Sequence, residues 1–223
     1  MWRIIVPRLV GFDAYFRVWK AYTRVLNEVR LYLPHHKFEG GIKLQTKGAS
    51  KMAGLFLYAA MIQGAIAAVI TFLGAVGDQI GLLPVAVAHV IAGGSAGTWF
   101  VMGYLTYLIV GVVAMAVTSL FYFFIESVQG KPYKGAARGL SWIHLAFANI
   151  GVAGAALLAM WGGYWGAVAM APKSQGGLGG TAELAHVMAL SPVEYPLTGF
   201  LILAIIGFFA GGIGYLIAIR SKS

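Results

Sequence analysis

Residues 85–125 decide the fold, because VAVAHVIAGGSAGTWFVMGYLTYLIVGVVAMAVTSLFYFFI contains no charged side chain. A continuous helix over these residues would be about 60 Å long, whereas the hydrocarbon core of a bilayer is about 30 Å thick. The small residues GGSAG at 93–97 are the expected break. We therefore predict a membrane span at about 98–125, preceded by a short helical or re-entrant piece at 85–91. A span that starts nearer His89 is the alternative.

Three further apolar blocks predict spans at about 52–76, 140–170 and 197–219. The 223 residues are 60% hydrophobic and only 10% charged, whereas soluble domains carry about 25% charged residues. The charges are concentrated between the blocks, as expected of a chain that a bilayer partitions. The predicted fold class is all-α: a polytopic membrane protein with a four-transmembrane-helix bundle at 52–219 and a cytoplasmic tail at 220–223.

Residues 1–51 form a basic segment with helical spacing of large apolar side chains between 12 and 33. Arg17, Lys20 and Arg24 fall on another face of that helix. We expect an amphipathic interfacial helix whose cations bind anionic lipid headgroups. A soluble helix packed on a partner subunit is an equal alternative.

The distribution of basic residues predicts the orientation. Residues 1–51 hold ten Lys and Arg, the stretch 126–139 holds three and the tail holds two, while Lys173 is alone on the other side. Basic residues near span ends collect in the cytoplasm, so both termini are predicted there, in a cell (plasma or inner) membrane. This topology also accounts for the net charge of +9, and we expect no nucleic-acid partner.

Small residues at four-residue spacing predict where the helices pack closely. They are Gly151, Ala155, Ala159 and Gly163 in the third span, and Gly207 and Gly211 in the fourth.

The histidines are the main candidates for cofactor chemistry. His89 and His186 both fall on the outer side in apolar surroundings and could share one haem iron, with a structural role for each as the alternative. His144 lies near the cytoplasmic start of the third span, roughly 25–30 Å from the other two, and cannot ligate the same iron. No catalytic motif or metal-binding set is recognisable, and the absence of cysteine removes thiolate sites.

Two stretches resemble haem-copper oxidase subunit I and its nitric-oxide-reductase relatives. AHVIAGGSAGTWFVMGYLTYL (88–108) is similar to that family's second helix, and SWIHLAFANIGVAGAALLAMWGGY (141–164) is similar to one of its late helices. The resemblance implies that His89 matches the low-spin haem ligand. However, the family's His-x-His pair and its other copper ligands are missing here. It therefore implies a truncated, non-catalytic relative or a partner subunit.

The sequence thus favours a small membrane subunit of a respiratory or electron-transfer oxidoreductase complex, without a complete catalytic centre of its own. Its expected partners are other membrane subunits and the bilayer. One alternative is a haem-b-binding electron carrier that uses His89 and His186. A small-solute transporter or channel is disfavoured because transporters usually place charged groups at mid-membrane, whereas these spans are uncharged.

Overall fold

The computed structural model describes residues 50–221, and all regular secondary structure among them is helical. Four helices are long and apolar enough to cross a membrane: α1 (Lys51–Val76), α3 (Ala96–Val128), α4 (Gly135–Met170) and α5 (Ala182–Arg220). A short helix, α2 (Val87–Ala92), precedes α3. The amphipathic helix predicted within residues 1–51, with Arg17, Lys20 and Arg24, lies outside the described residues.

The first helix begins where its sequence provides a cap. The Ser50 hydroxyl accepts a hydrogen bond from the Ala53 amide at 3.1 Å, which satisfies one of the free donors at the helix start. No charged side chain follows Lys51 until Asp78, which lies in the turn after α1. The helix therefore spans almost the same residues as the predicted span 52–76.

The uncharged run at 85–125 is broken within the small-residue segment. Gly94 and Ser95 both have left-handed backbone conformations, with φ of 60° and 47°. A Cβ at Gly97 would lie 1.9 Å from the Val90 carbonyl oxygen. This close approach ends α2 at Ala92 and lets α3 begin at Ala96, two residues before the predicted start of the span.

The long helices extend beyond the predicted spans. The helix that contains the span 140–170 begins at Gly135, and the helix that contains the span 197–219 begins at Ala182. Hydropathy marks the apolar part of a helix, whereas backbone hydrogen bonding continues into more polar residues. At the start of α5 the Thr181 hydroxyl caps the Leu184 amide at 3.2 Å.

Several turns within these helices are π-helical, with hydrogen bonds between residues five apart. They are Tyr107–Val113 and Phe124–Val128 in α3, His144–Ala148 in α4 and His186–Leu190 in α5. The turn in α5 directly precedes Pro192, which cannot donate a helical hydrogen bond.

The helices pack in chain order, α1 on α3, α3 on α4 and α4 on α5. Glycines allow the closest approaches. A Cβ at Gly163 would lie 2.2 Å from the Phe100 amide nitrogen of α3, and one at Gly151 would lie 2.4 Å from the Ala204 amide nitrogen of α5. The third helix therefore lies between its two neighbours with backbone nearly touching backbone.

The other small residues singled out in the sequence occupy different surroundings. A Cβ at Gly207 would lie 2.4 Å from the Ala148 amide nitrogen, so this glycine also lies at a helix contact. Ala155 is buried, whereas Ala159 is partly exposed and lines a cavity. Gly211 lies against a side chain, described below.

Candidate functional site

All four long helices contribute to a cluster of rings around His144. This histidine begins a π-helical turn of α4 and is only 3% exposed. Its Nδ1 lies 3.2 Å from the hydroxyl of Tyr122 on α3. Its Nε2 has no hydrogen-bond partner among the residues that the structure describes. Nδ1 is therefore in hydrogen-bond contact with Tyr122, whereas Nε2 is buried without a hydrogen bond to the described residues.

Aromatic side chains enclose the imidazole. The ring centroids of Phe56 and His144 are 4.9 Å apart, and those of Tyr215 and His144 are 6.1 Å apart. Tyr122 lies 5.0 Å from Tyr215 and 4.9 Å from Tyr133, which follows α3 in the loop 129–134. We call Phe56, Tyr122, Tyr133, His144, Phe208 and Tyr215 the His144 cluster.

Gly211 makes room for the imidazole. A Cβ at this position would lie 2.2 Å from His144 Nδ1, closer than any real contact. The sequence pattern had placed Gly211 at a helix-packing position. In the structure it lies against the His144 side chain instead of a neighbouring backbone.

The loop end of the cluster is polar. The Ser50 hydroxyl donates a hydrogen bond to the Glu126 carboxylate, and the Lys131 ammonium donates one to the Ile219 carbonyl. Burial, reinforced by Tyr215 and Glu126, raises the pKa of Tyr133 above its ordinary value of 10.0. Tyr133 therefore keeps its hydroxyl proton at neutral pH, and that hydroxyl has no partner among the described residues.

A second polar contact lies further along the bundle. The Gln63 side-chain amide donates to Asn149 Oδ1 at 2.7 Å, and Asn149 Nδ2 donates to the Leu145 carbonyl at 2.7 Å. Gln63 Oε1 has no described partner, and a Cβ at Gly111 would lie 2.7 Å from it. Next to Gly111 the side chain of Tyr107 is 0% exposed. The Tyr107 hydroxyl is also unpartnered within the described part of the chain.

Six buried side-chain atoms lack a partner in residues 50–221, and all but Ser127 Oγ belong to these regions. They are Gln63 Oε1, Tyr107 OH, Ser127 Oγ, Tyr133 OH, His144 Nε2 and Tyr215 OH. A buried polar group that lacks a hydrogen bond costs about 1–3 kcal/mol, so native proteins rarely leave several unsatisfied. We call the His144 cluster together with Gln63, Asn149 and Tyr107 the polar column.

The predicted haem-ligating histidines line different cavities. His89 is exposed on α2 and lines a cavity of about 160 Å³ beside Gly93 and Gln175. His186 is exposed on α5 and lines a cavity of about 340 Å³ beside Trp99 and Glu194. The two cavities share no lining residue. Ligation by this pair remains a prediction.

No group of three His, Asp or Glu residues within 50–221 is arranged to hold a metal ion. No protein-family model matches the chain, and neither does any curated protein or solved structure.

Sequence reasoning missed the His144 cluster as a site. The sequence shows an imidazole, that of His144, within an uncharged block. The aromatic side chains that surround this imidazole come from α1, α3, α5 and the loop 129–134. No sequence pattern singles out Tyr122 or Tyr133. Their convergence depends on the tertiary arrangement of the four helices.

Proposed function

We propose that this chain is an integral protein of the cell membrane, with four spans and both termini in the cytoplasm. Four helices of suitable length and apolar composition support the proposal. The orientation is supported by the fifteen basic residues at one set of helix ends and in the terminal segments, against Lys173 alone at the other.

We further propose that the bundle is a non-catalytic subunit of a larger membrane electron-transfer complex of the respiratory type. The observation that carries this proposal is the buried, half-partnered His144, at the point where the four long helices meet. Polar groups inside a membrane bundle are costly and usually functional. His144 and Asn149, which both make buried side-chain hydrogen bonds, belong to the stretch 141–164 that resembles the oxidase family.

The outer surface of the bundle supports the presence of partners or lipid around it. Large apolar side chains are exposed along α1, including Tyr58, Ile62 and Phe72. Exposure of such an extended apolar surface to water is unfavourable, whereas its contact with lipid chains or neighbouring membrane helices is favourable.

Isolation in mild detergent tests the subunit role. The full chain, tagged at its C-terminus and purified from its own membrane, should retain other membrane subunits, and the isolate should show the absorption bands of a redox cofactor. Recovery of the chain alone, with neither partner nor cofactor, would contradict the proposal. A haem spectrum in the chain alone that disappears in His89→Ala and His186→Ala would instead favour the electron-carrier alternative.

A further inference from the structure

The groups of the polar column extend from the loop 129–134 to the Gln63–Asn149 pair and Tyr107. Tyr133 lies at the loop end, near Glu126, and is within ring contact of Tyr122, which bonds His144. Asn149 follows His144 by five residues, about 7 Å along the helix axis. Gln63 is bonded to Asn149, and a Cβ at Gly111 would lie 2.7 Å from Gln63 Oε1 and 3.6 Å from Cδ2 of the Tyr107 ring.

Helix geometry provides an independent observation at the same places. Tyr107, Ser127 and His144 each lie in a π-helical turn, and each carries an unpartnered buried atom. Such turns are rare and often coincide with functional sites, because the extra residue disturbs the regular hydrogen bonding. Two of these residues, Tyr107 and His144, belong to the column, and the coincidence marks it as a built feature.

We propose that the polar column binds water molecules and that the His144 ring exchanges protons through them with the loop 129–134. The cytoplasmic location of that loop rests on the proposed topology, whereas the binding of water does not.

Water fits these groups better than an ion does. The unpartnered atoms of Tyr107, Tyr133, His144 and Gln63 belong to neutral side chains, and a buried water molecule typically makes two to four hydrogen bonds to such groups. A hard cation would need six or more oxygen ligands, several of them usually carboxylates. Within residues 50–221, a carboxylate that lies near the column, that of Glu126, accepts a hydrogen bond from Ser50 at the loop end.

The proton transfer balances at His144. A proton from bound water forms an N–H bond at one ring nitrogen, while the N–H bond at the other nitrogen breaks and gives its proton to a second bound water, which releases it to the loop 129–134. The ring returns to neutrality as the other tautomer, and no electrons are exchanged. Tyr122 and Tyr133 transfer protons in the same way, accepting one at the hydroxyl oxygen as they release another.

Proton exchange at the His144 ring tests the proposal directly. The full chain, labelled with ¹⁵N-histidine and placed in lipid nanodiscs, is transferred to deuterated water, and the ring N–H signals are followed by NMR. The His144 signal, assigned by its loss in His144→Gln, should exchange within seconds. A signal that persists for an hour would overturn the proposal.

Variants along the column test the route. Tyr133→Phe should slow exchange at His144 at least tenfold, whereas Tyr58→Phe, the same change on the outer face of α1, should leave it unchanged. Unaltered exchange in Tyr133→Phe would show that water does not enter from the loop, which overturns the route.

Thermal unfolding of Tyr107→Phe is a second test, independent of the Tyr133 variant. If water binds the Tyr107 hydroxyl, Tyr107→Phe should lower the melting temperature. If the site is dry, removal of an unsatisfied hydroxyl should raise it. Both experiments use the isolated chain, so failure to find partner subunits would leave their outcome intact.

Discussion

At the scale of single residues, two neighbouring glycines of α5 have opposite surroundings. A Cβ at Gly211 would collide with the His144 ring, whereas a Cβ at Gly212 would meet nothing within 4 Å. The imidazole is fixed by Tyr122 and enclosed by rings, so it cannot move aside freely.

We therefore expect Gly211→Ala to destabilise the protein by about 1–3 kcal/mol, the usual cost of overpacking a core. Gly212→Ala should be neutral or stabilising by up to about 1 kcal/mol, since alanine favours helix more than glycine does. Thermal unfolding in detergent measures both. If the His144 contact is the cause, His144→Ala should remove most of the penalty of Gly211→Ala. Equal effects of the two glycine changes would contradict this account.

The buried hydroxyl of Tyr133 leads us to expect that the folded protein loses stability at alkaline pH. Burial raises its pKa in the folded protein, so the folded state holds the phenolic proton more tightly than the unfolded state. The stabilisation is complete below the unfolded pKa of about 10 and is lost as the pH rises above it. Tyr133→Phe should therefore reduce the fall in melting temperature between pH 8 and pH 11.

The matched control for this prediction is Tyr195→Phe. The Tyr195 side chain is 85% exposed, so its removal should change the alkaline loss little. A steeper alkaline loss in Tyr133→Phe than in the wild type would show that the sign is wrong.

At the scale of helices, the close packing of α3 on α4 depends on Gly163. The approach is between backbones, because the nearest atom to a Cβ there would be the Phe100 amide nitrogen. A backbone atom cannot move aside by rotation as a side chain can. A Cβ at Gly163 would therefore force the two helices to separate.

Gly163→Ala should consequently destabilise the α3–α4 pair by about 1–3 kcal/mol. Gly139→Ala is the control in the same helix, because nothing lies within 4 Å of a Cβ at that position. Unfolding monitored by tryptophan fluorescence measures both variants, since Trp99 is next to Phe100 and Trp161 is two residues from Gly163 in sequence. Tolerance of alanine at Gly163 would mean that the helices lie further apart than described.

At the scale of the whole molecule, the proposed topology places the loops 129–134 and 171–181 on opposite sides of the membrane. The chain has no cysteine, so single cysteines can report each side without background. Gln129 and Ser174 are exposed positions in the two loops.

In intact spheroplasts, Ser174→Cys should react with a membrane-impermeant maleimide. Gln129→Cys should react only after the membrane is permeabilised. Gel mobility of the labelled chain measures both reactions. The reverse pattern would invert the topology, and labelling of both positions in sealed cells would exclude a loop arrangement with four spans.

The sequence predicted the helical class because an uncharged block of the right length has few stable alternatives in or near a bilayer. It also predicted the break at 93–97, since consecutive small residues allow the left-handed backbone found at Gly94 and Ser95. The starts of α4 and α5 were less predictable, because backbone hydrogen bonding continues past the apolar residues that hydropathy detects.

Periodicity identified Gly151, Gly163 and Gly207 as packing residues, yet it could not distinguish them from Gly211, which accommodates a side chain. Nor could it show that His89 and His186 line different cavities. The side of the membrane follows from charge, but the distance between two exposed histidines depends on how α2 and α5 are placed.

The sequence by itself determined an all-helical chain with four long apolar helices, because hydropathy and charge act on local segments. Only the tertiary structure decided that His144, the histidine set apart in the sequence, lies within the ring cluster formed by the four helices. The reason is physical: burial and hydrogen bonding at His144 depend on Phe56, Tyr122 and Tyr215 from three other helices. No local pattern encodes where those side chains meet.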